Sequence, residues 1–115
     1  MIPRVLIVDD SQPMRELLRM MLTDVAIVVG ECDDGSDALE LYTRLQPDWV
    51  LMDFDMKDMD GIAAARQIIT ADPKAQIMIV TDYDDSELSL AALQAGCKRY
   101  VVKEDLVSIL EILST

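Results

Sequence analysis

Four apolar runs in this sequence each stop on a side chain that can handle charge. Val5-Leu6-Ile7-Val8 leads into Asp9-Asp10, Trp49-Val50-Leu51-Met52 into Asp53, Ile77-Met78-Ile79-Val80 into Thr81, and Tyr100-Val101-Val102 into Lys103. Asp55 follows Asp53 by two positions. Taken singly, each has an ordinary explanation. An Asp pair caps a helix, Asp53-Phe54-Asp55 opens a solvated loop, Thr81 merely ends a strand, and Lys103 is a helix-end cation. Brought to one place, they are complementary. Three carboxylates within hydrogen-bonding range cannot all ionise comfortably unless a cation lies between them. Oxygen donors without His or Cys suit a hard ion, Mg2+ or Mn2+. Mg2+ typically takes one or two carboxylates together with phosphate oxygens, which leaves a carboxylate to act on phosphorus. Lys103 and the Thr81 hydroxyl would each meet part of the charge on a phosphoryl group in transfer. Asp53 is therefore the expected phosphoryl acceptor.

The elements that must position these groups follow from hydrophobic periodicity. The four runs read as buried strands, and Ala26-Ile27-Val28-Val29 as a further one. Met14, Leu17, Leu18, Met21 and Leu22 repeat at helical spacing, with Pro13 suited to a first turn after Ser11 or Gln12. Asp33-Asp34-Gly35 reads as a turn. A second helix carries Ala38, Leu41, Tyr42 and Leu45 and is stopped by Pro47. Asp60 caps a third, with Ile62, Ala65, Ile68 and Ile69 inward, ended by Asp72-Pro73. Asp84 and Glu87 have capping-box spacing ahead of a fourth helix, which Gly96 ends. A last helix carries Leu106, Ile109, Leu110 and Leu113 and stops at Thr115.

Strand then helix, five times over, predicts an α/β fold: a doubly wound (βα)5 sandwich with a parallel sheet and right-handed crossovers. The expected strand order is 2-1-3-4-5, the flavodoxin-like one. Ligands in such sheets bind beyond the carboxyl ends of the strands. With adjacent strands about 4.8 Å apart, Asp9, Asp10 and Asp53 converge there, with Thr81 on the next strand and Lys103 one further out.

Composition narrows the function classes. The 115 residues suit one domain, 1–115. Apolar residues make up 51% but aromatics only 4%, with 8 Met, so the expected core is aliphatic. Asp and Glu number 22 against 10 Lys and Arg, a formal net charge of -12, which argues against direct nucleic acid contact. No apolar run approaches the roughly 18 residues of a membrane span, and no signal-peptide pattern precedes the acidic Asp9. A cytoplasmic protein is expected. Cys32 and Cys97 lack metal spacing and read as small hydrophobes in a reducing compartment. The chain has no histidine, so a phosphohistidine donor must come from another molecule.

Val8-Asp9-Asp10-Ser11, Leu51-Met52-Asp53, Met59-Asp60-Gly61, Val80-Thr81 and Tyr100-Val101-Val102-Lys103 together resemble the receiver domain of two-component response regulators, in order and over essentially the whole chain. The resemblance implies that Asp53 forms an acyl phosphate. It implies Asp10, Asp53 and the backbone carbonyl of Asp55 as direct Mg2+ ligands, Asp9 acting mainly through water, and Lys103 pairing with the phosphoryl group. Thr81 and Tyr100 match the family's switch pair, in which the hydroxyl turns toward phosphate and the ring follows inward. Expected partners are a histidine kinase or phosphotransfer protein. The output is a population shift at the face of the fourth helix, fifth strand and fifth helix. The stretch from Ala95 to Glu104 is most like receivers fused to a helix-turn-helix output domain, which implies transcription regulation and a phosphorylation-dependent dimer. The short last helix suits either a stand-alone receiver or one cut from a longer protein. Such a domain is not an enzyme beyond its own phosphorylation and dephosphorylation.

Three positions depart from that pattern. Lys57 stands where the family usually has proline, which predicts a less rigid loop. Glu104 stands where a proline, commonly cis, often follows the lysine; a non-proline cis bond costs about 2.5–4 kcal/mol, so trans is expected. Asp82 replaces a small residue and is expected to narrow access to the site. Trp49, roughly 13 Å from Asp53 along its strand, should report weakly on metal or phosphate; Phe54 is nearer.

Two rival readings stand beside this one. Asp53-Phe54-Asp55 also resembles the Asp-x-Asp pair of haloacid-dehalogenase-like Mg2+ phosphatases. Against that, Lys57 falls where Thr or Val is wanted, the motif is on the third strand, and the chain has no room for a cap. A receiver-like interaction domain that no longer accepts phosphate is the other.

Overall fold

Residues 1–114 are described by the computed structural model. Three of the α-helices begin where a side chain takes up N–H groups that helix geometry leaves unpaired, and the other two follow 3-10 turns. β1 (Arg4–Val8) is followed by α1 (Gln12–Leu22), where Ser11 accepts from the Met14 N–H and Pro13 lies in the first turn. β2 (Ile27–Cys32) leads through a 3-10 turn at Gly35–Asp37, capped by Asp34, into α2 (Ala38–Leu45). β3 (Trp49–Met52) precedes α3 (Gly61–Ala71), capped by Asp60. β4 (Ile77–Thr81) precedes α4 (Ser86–Gln94), and β5 (Arg99–Val102) passes through a 3-10 turn at Lys103–Asp105 into α5 (Val107–Leu113). The expected helix end at Thr115 lies outside the described residues.

All strands pair in parallel, in the order β2-β1-β3-β4-β5, as the alternating pattern predicts. Successive side chains on a strand face opposite sides, and the core divides accordingly. Leu6, Val8, Val50, Met52, Ile77 and Ile79 pack with Ala38, Tyr42, Ile62, Ala65, Ile68 and Ala92 of α2, α3 and α4. Val5, Ile7, Leu51, Met78, Val80 and Val101 pack on the other face with Leu18 and Leu22 of α1 and Ile109 and Leu113 of α5. Every residue of β4 is buried. The continuous apolar runs thus belong to strands covered on both faces.

Several boundaries differ from the sequence-based expectation. β2 begins one residue later than expected and runs on to Cys32. As an edge strand it is only partly buried, so its far half carries no strong apolar signal. α4 is capped by Asp85, not Asp84: the Asp85 carboxylate accepts from the N–H groups of Glu87 and Leu88 at 2.9 and 3.2 Å. α2 ends on Gln46 at φ 50, one residue before Pro47. α4 stops at Gly96, whose φ of 101 a side chain would oppose. The Lys103–Glu104 peptide is trans.

Candidate functional site: an acidic pocket at the strand ends

The register of the sheet fixes which side chains meet. Val8 is the partner of Met52 across β1 and β3, so Asp9 and Asp53 leave the sheet side by side. Their backbones continue the ladder briefly: Asp53 N–H donates to the Val8 carbonyl at 2.8 Å, and Asp9 N–H to the Cys32 carbonyl at 3.1 Å. Asp9, Asp10 and Asp53 each offer a carboxylate oxygen, all within 4.8 Å of one another. Asp9 and Asp53 are buried while Asp10 is exposed. Thr81 pairs with Val102, which brings Lys103 to the same rim. The Lys103 ammonium stands 3.3 Å from Asp9 Oδ2 and 3.3 Å from Asp53 Oδ1. A cavity of about 290 Å³ opens above them, lined also by Ser11, Met14, Asp55, Thr81, Asp82 and Tyr83.

Burial dominates the electrostatics of this floor. Desolvation, followed by the neighbouring Asp9 charge, pushes the Asp53 carboxyl up to about 7, against the opposing pull of Lys103. Burial lowers the Lys103 ammonium, but the carboxylates of Asp53 and Asp9 outweigh it and hold the group above its ordinary value. One ammonium cannot neutralise three carboxylates. The donors are oxygens alone and keep net negative charge, which fits a hard divalent cation such as Mg2+.

Side chains that the sequence did not single out hold this floor in place. Asp34 Oδ1 accepts from the Asp58 N–H at 2.9 Å and Oδ2 from Ser36 at 2.9 Å, tying the loop after β3 to the loop after β2. Met56 of the same loop is buried in the core, and the Gly61 N–H donates to the Phe54 carbonyl at 2.8 Å. So the loop carrying Lys57 has three anchors even without proline. Gly61 is required sterically, because a Cβ there would collide with the Asp53 carbonyl oxygen.

Tyr83 is the largest group that sequence reading missed. Its backbone N–H donates to Thr81 Oγ1 at 3.3 Å, its carbonyl accepts from the Tyr100 phenol at 2.5 Å, and its own phenol donates to Asp55 Oδ2 at 3.0 Å. Its ring meets Phe54 edge-on, with centroids 6.3 Å apart. Thr81 and Tyr100, expected to act as a pair, are thus joined through the backbone of Tyr83. Asp82 lies on the cavity rim, as expected, and is exposed. Trp49 lies at the opposite end of the sheet, beside Pro3, Asp48, Gln76 and Ile112.

An oxygen-donor pocket with one lysine lies at the carboxyl rim of a doubly wound parallel sheet, the place where ligands bind in folds of this class. Residues 5–114 match the response regulator receiver domain family, and the chain belongs to that family. It is a receiver domain of two-component signalling, as the motifs implied. It is 40% identical to the chemotaxis protein CheY of Thermotoga maritima over 101 residues, 87% of this chain and 84% of that protein. A LuxR-family two-component response regulator from Aurantimonas sp. SI85-9A1 superposes with a TM-score of 0.91 at 35% identity, covering 99% of this chain and 86% of the other. CheY from Borrelia burgdorferi, solved with CheX, BeF3 and Mg2+, superposes with a TM-score of 0.85 at 28% identity, covering 94% and 84%. The family matched is the receiver family, not the haloacid-dehalogenase-like one that Asp53-Phe54-Asp55 also resembles. Among the described residues no helix is long and apolar enough to cross a membrane.

Proposed function

We propose that this receiver takes a phosphoryl group onto Asp53 from the phosphohistidine of a histidine kinase or phosphotransfer protein. A carboxylate oxygen of Asp53 forms the bond to phosphorus as the bond from phosphorus to the donor nitrogen breaks, and that nitrogen keeps the electron pair. Water later cleaves the acyl phosphate, releasing inorganic phosphate and restoring the carboxylate. Bound Mg2+ or Mn2+ would supply positive charge to the phosphoryl oxygens, with Asp10, Asp53 and the Asp55 backbone carbonyl as direct ligands and Asp9 acting mainly through water. The domain catalyses only these changes in its own phosphorylation state.

Lys103 transfers part of its pairing from Asp53 to the new phosphoryl oxygens, since the carboxylate charge it now meets is consumed in the mixed-anhydride bond. The Thr81 hydroxyl turns to the same oxygens and gives up its contact with the Tyr83 N–H. The Tyr100 ring then moves inward, releasing the Tyr83 carbonyl. These movements shift the surface of α4, β5 and α5, where Leu90, Leu93 and Val107 are exposed. A partner, a second copy, or a C-terminal helix-turn-helix output domain acting in transcription reads that surface. The likeness to a LuxR-family regulator supports the last of these, and the Borrelia CheY structure with BeF3 and Mg2+ supports the phosphoryl and metal chemistry.

The observation that carries this reading is the meeting of Asp9, Asp10 and Asp53 oxygens within 4.8 Å, with Lys103 spanning two of them at 3.3 Å. Intact mass after acetyl phosphate and Mg2+ tests it. One phosphoryl adduct is expected, absent from Asp53→Asn and absent without the metal. An unmodified protein under all conditions would favour a receiver-like interaction domain instead.

A further inference from the structure

Every polar group of Asp9 is engaged, and one of its partners is a side chain from outside the pocket. The N–H donates to Cys32, Oδ1 accepts from the Ser11 N–H at 2.9 Å, and Oδ2 faces Lys103. The carbonyl oxygen accepts from Arg15 Nη1 at 2.5 Å. Arg15 stands in α1, and its Nε is held 3.2 Å from Glu31 Oε1, on β2. The other Glu31 oxygen pairs with Arg19, one turn further along α1. The side chains of Arg15 and Glu31 are only 17% and 23% exposed, so solvent screens this pair less than an ordinary surface one.

A carbonyl belongs to the same rigid plane as the following N–H. Holding the Asp9 carbonyl therefore fixes the plane that enters Asp10, and with it the direction in which the Asp10 side chain leaves the chain. That matters because Asp10 is exposed, and its carboxylate has no hydrogen bond or ion pair among the described residues. Its aim rests on the backbone alone. The surrounding charge makes the aim costly to keep: Asp9 and Asp53 repel Asp10 from the place where a cation would gather all three.

We infer that Arg15, steered by Glu31, is a positioning residue that aims the Asp9–Asp10 pair at the cation. It touches neither ion nor phosphorus and acts only through the Asp9 carbonyl. The inference rests on the reading that these aspartates hold Mg2+. Groups that orient metal ligands typically alter affinity by about 10–100-fold when removed, and a single backbone contact belongs at the lower end.

Calorimetric titration with Mg2+ of the unaltered protein, Arg15→Gln, Arg15→Lys, Glu31→Gln and Arg19→Gln tests this, alongside thermal unfolding of each in EDTA. Arg15→Gln should weaken Mg2+ binding roughly tenfold. Glu31→Gln should weaken it in the same direction but less, and it provides the test if Arg15→Gln fails to fold. Arg15→Lys should recover part of the loss, since lysine can reach the carbonyl but cannot present the same fork to Glu31. Arg19→Gln should bind Mg2+ as the unaltered protein does. Unchanged affinity in Arg15→Gln and Glu31→Gln, with only the unfolding temperature lowered, would make Arg15 a structural residue and overturn the inference. Failure of the unaltered protein to bind Mg2+ would overturn both this inference and the metal reading beneath it.

Discussion

The Tyr83 phenol donates to the Asp55 carboxylate at 3.0 Å, joining the loop after β4 to the loop after β3 across the mouth of the acidic pocket. Through its backbone the same residue touches Thr81 and Tyr100. Tyr83 and Asp55 both line the cavity in which a donor would meet Asp53. One hydrogen bond contributes about 1 kcal/mol, so Tyr83→Phe should speed phosphorylation by acetyl phosphate by roughly fivefold. The adduct should also hydrolyse faster. Stopped mass measurements over time check both, and an unchanged pair of rates would mean the bridge does not limit access.

Asp82 adds charge on the same rim. Asp82→Ala should raise both the phosphorylation and dephosphorylation rates. With Asp82, Asp84 and Asp85 beside the pocket carboxylates, an anionic donor is repelled, and salt weakens that repulsion. Phosphorylation by acetyl phosphate at saturating Mg2+ should therefore quicken as ionic strength rises in the unaltered protein, and less steeply in Asp82→Ala. A flat profile in both would count against a field effect.

The pH dependence of stability follows from Asp53. Burial, then the Asp9 charge, raises its folded-state value to about 7. Between the unfolded value near 4 and pH 7 the folded state holds a proton that the unfolded chain has lost, so stability falls as pH rises through this window. At about 1.4 kcal/mol per unit, the loss reaches up to about 4 kcal/mol in EDTA. Denaturant unfolding at pH 5.5 and pH 8 should show about half of it, roughly 2 kcal/mol, Mg2+ should reverse it at pH 8, and Asp53→Asn should flatten it. Equal stability at both pH values would show that the Asp53 carboxylate is not penalised by burial.

Gly61 packs its Cα side against the Asp53 backbone, where a Cβ would overlap the carbonyl oxygen. Overpacking of this kind costs about 1–3 kcal/mol. Gly61→Ala should lower stability by that amount and slow phosphorylation, because the backbone that must yield carries the acceptor. Wild-type stability in this variant would mean the loop has room that the geometry denies.

Much of the site was legible because continuous apolar runs announce strands buried on both faces, and such strands share one carboxyl rim. Asp9, Asp10, Asp53, Thr81 and Lys103 each follow such a run, so strand order alone brings them together. Contacts between loops were not legible. Nothing in the pattern around Arg15 or Asp34 says that one finds the Asp9 carbonyl and the other the Asp58 N–H. The Tyr83–Asp55 bridge likewise depends on two loops that only the sheet order brings face to face. Local signals failed where they were degenerate: in Asp82-Tyr83-Asp84-Asp85 the capping-box spacing favoured Asp84, yet Asp85 holds the helix N–H groups. β2 was under-read for another reason, since an edge strand needs no continuous apolar run.

The proposed acceptor is a single carboxylate, and chemistry can locate it. Acyl phosphates are reduced by borohydride whereas free carboxylates are not. Protein treated with acetyl phosphate and Mg2+, then borohydride, should yield on digestion one altered peptide, with homoserine at position 53 and intact aspartate at positions 9, 10 and 55. Reduction at any of those three positions instead of 53, or no reduced peptide from a protein shown to bind Mg2+, would contradict the account.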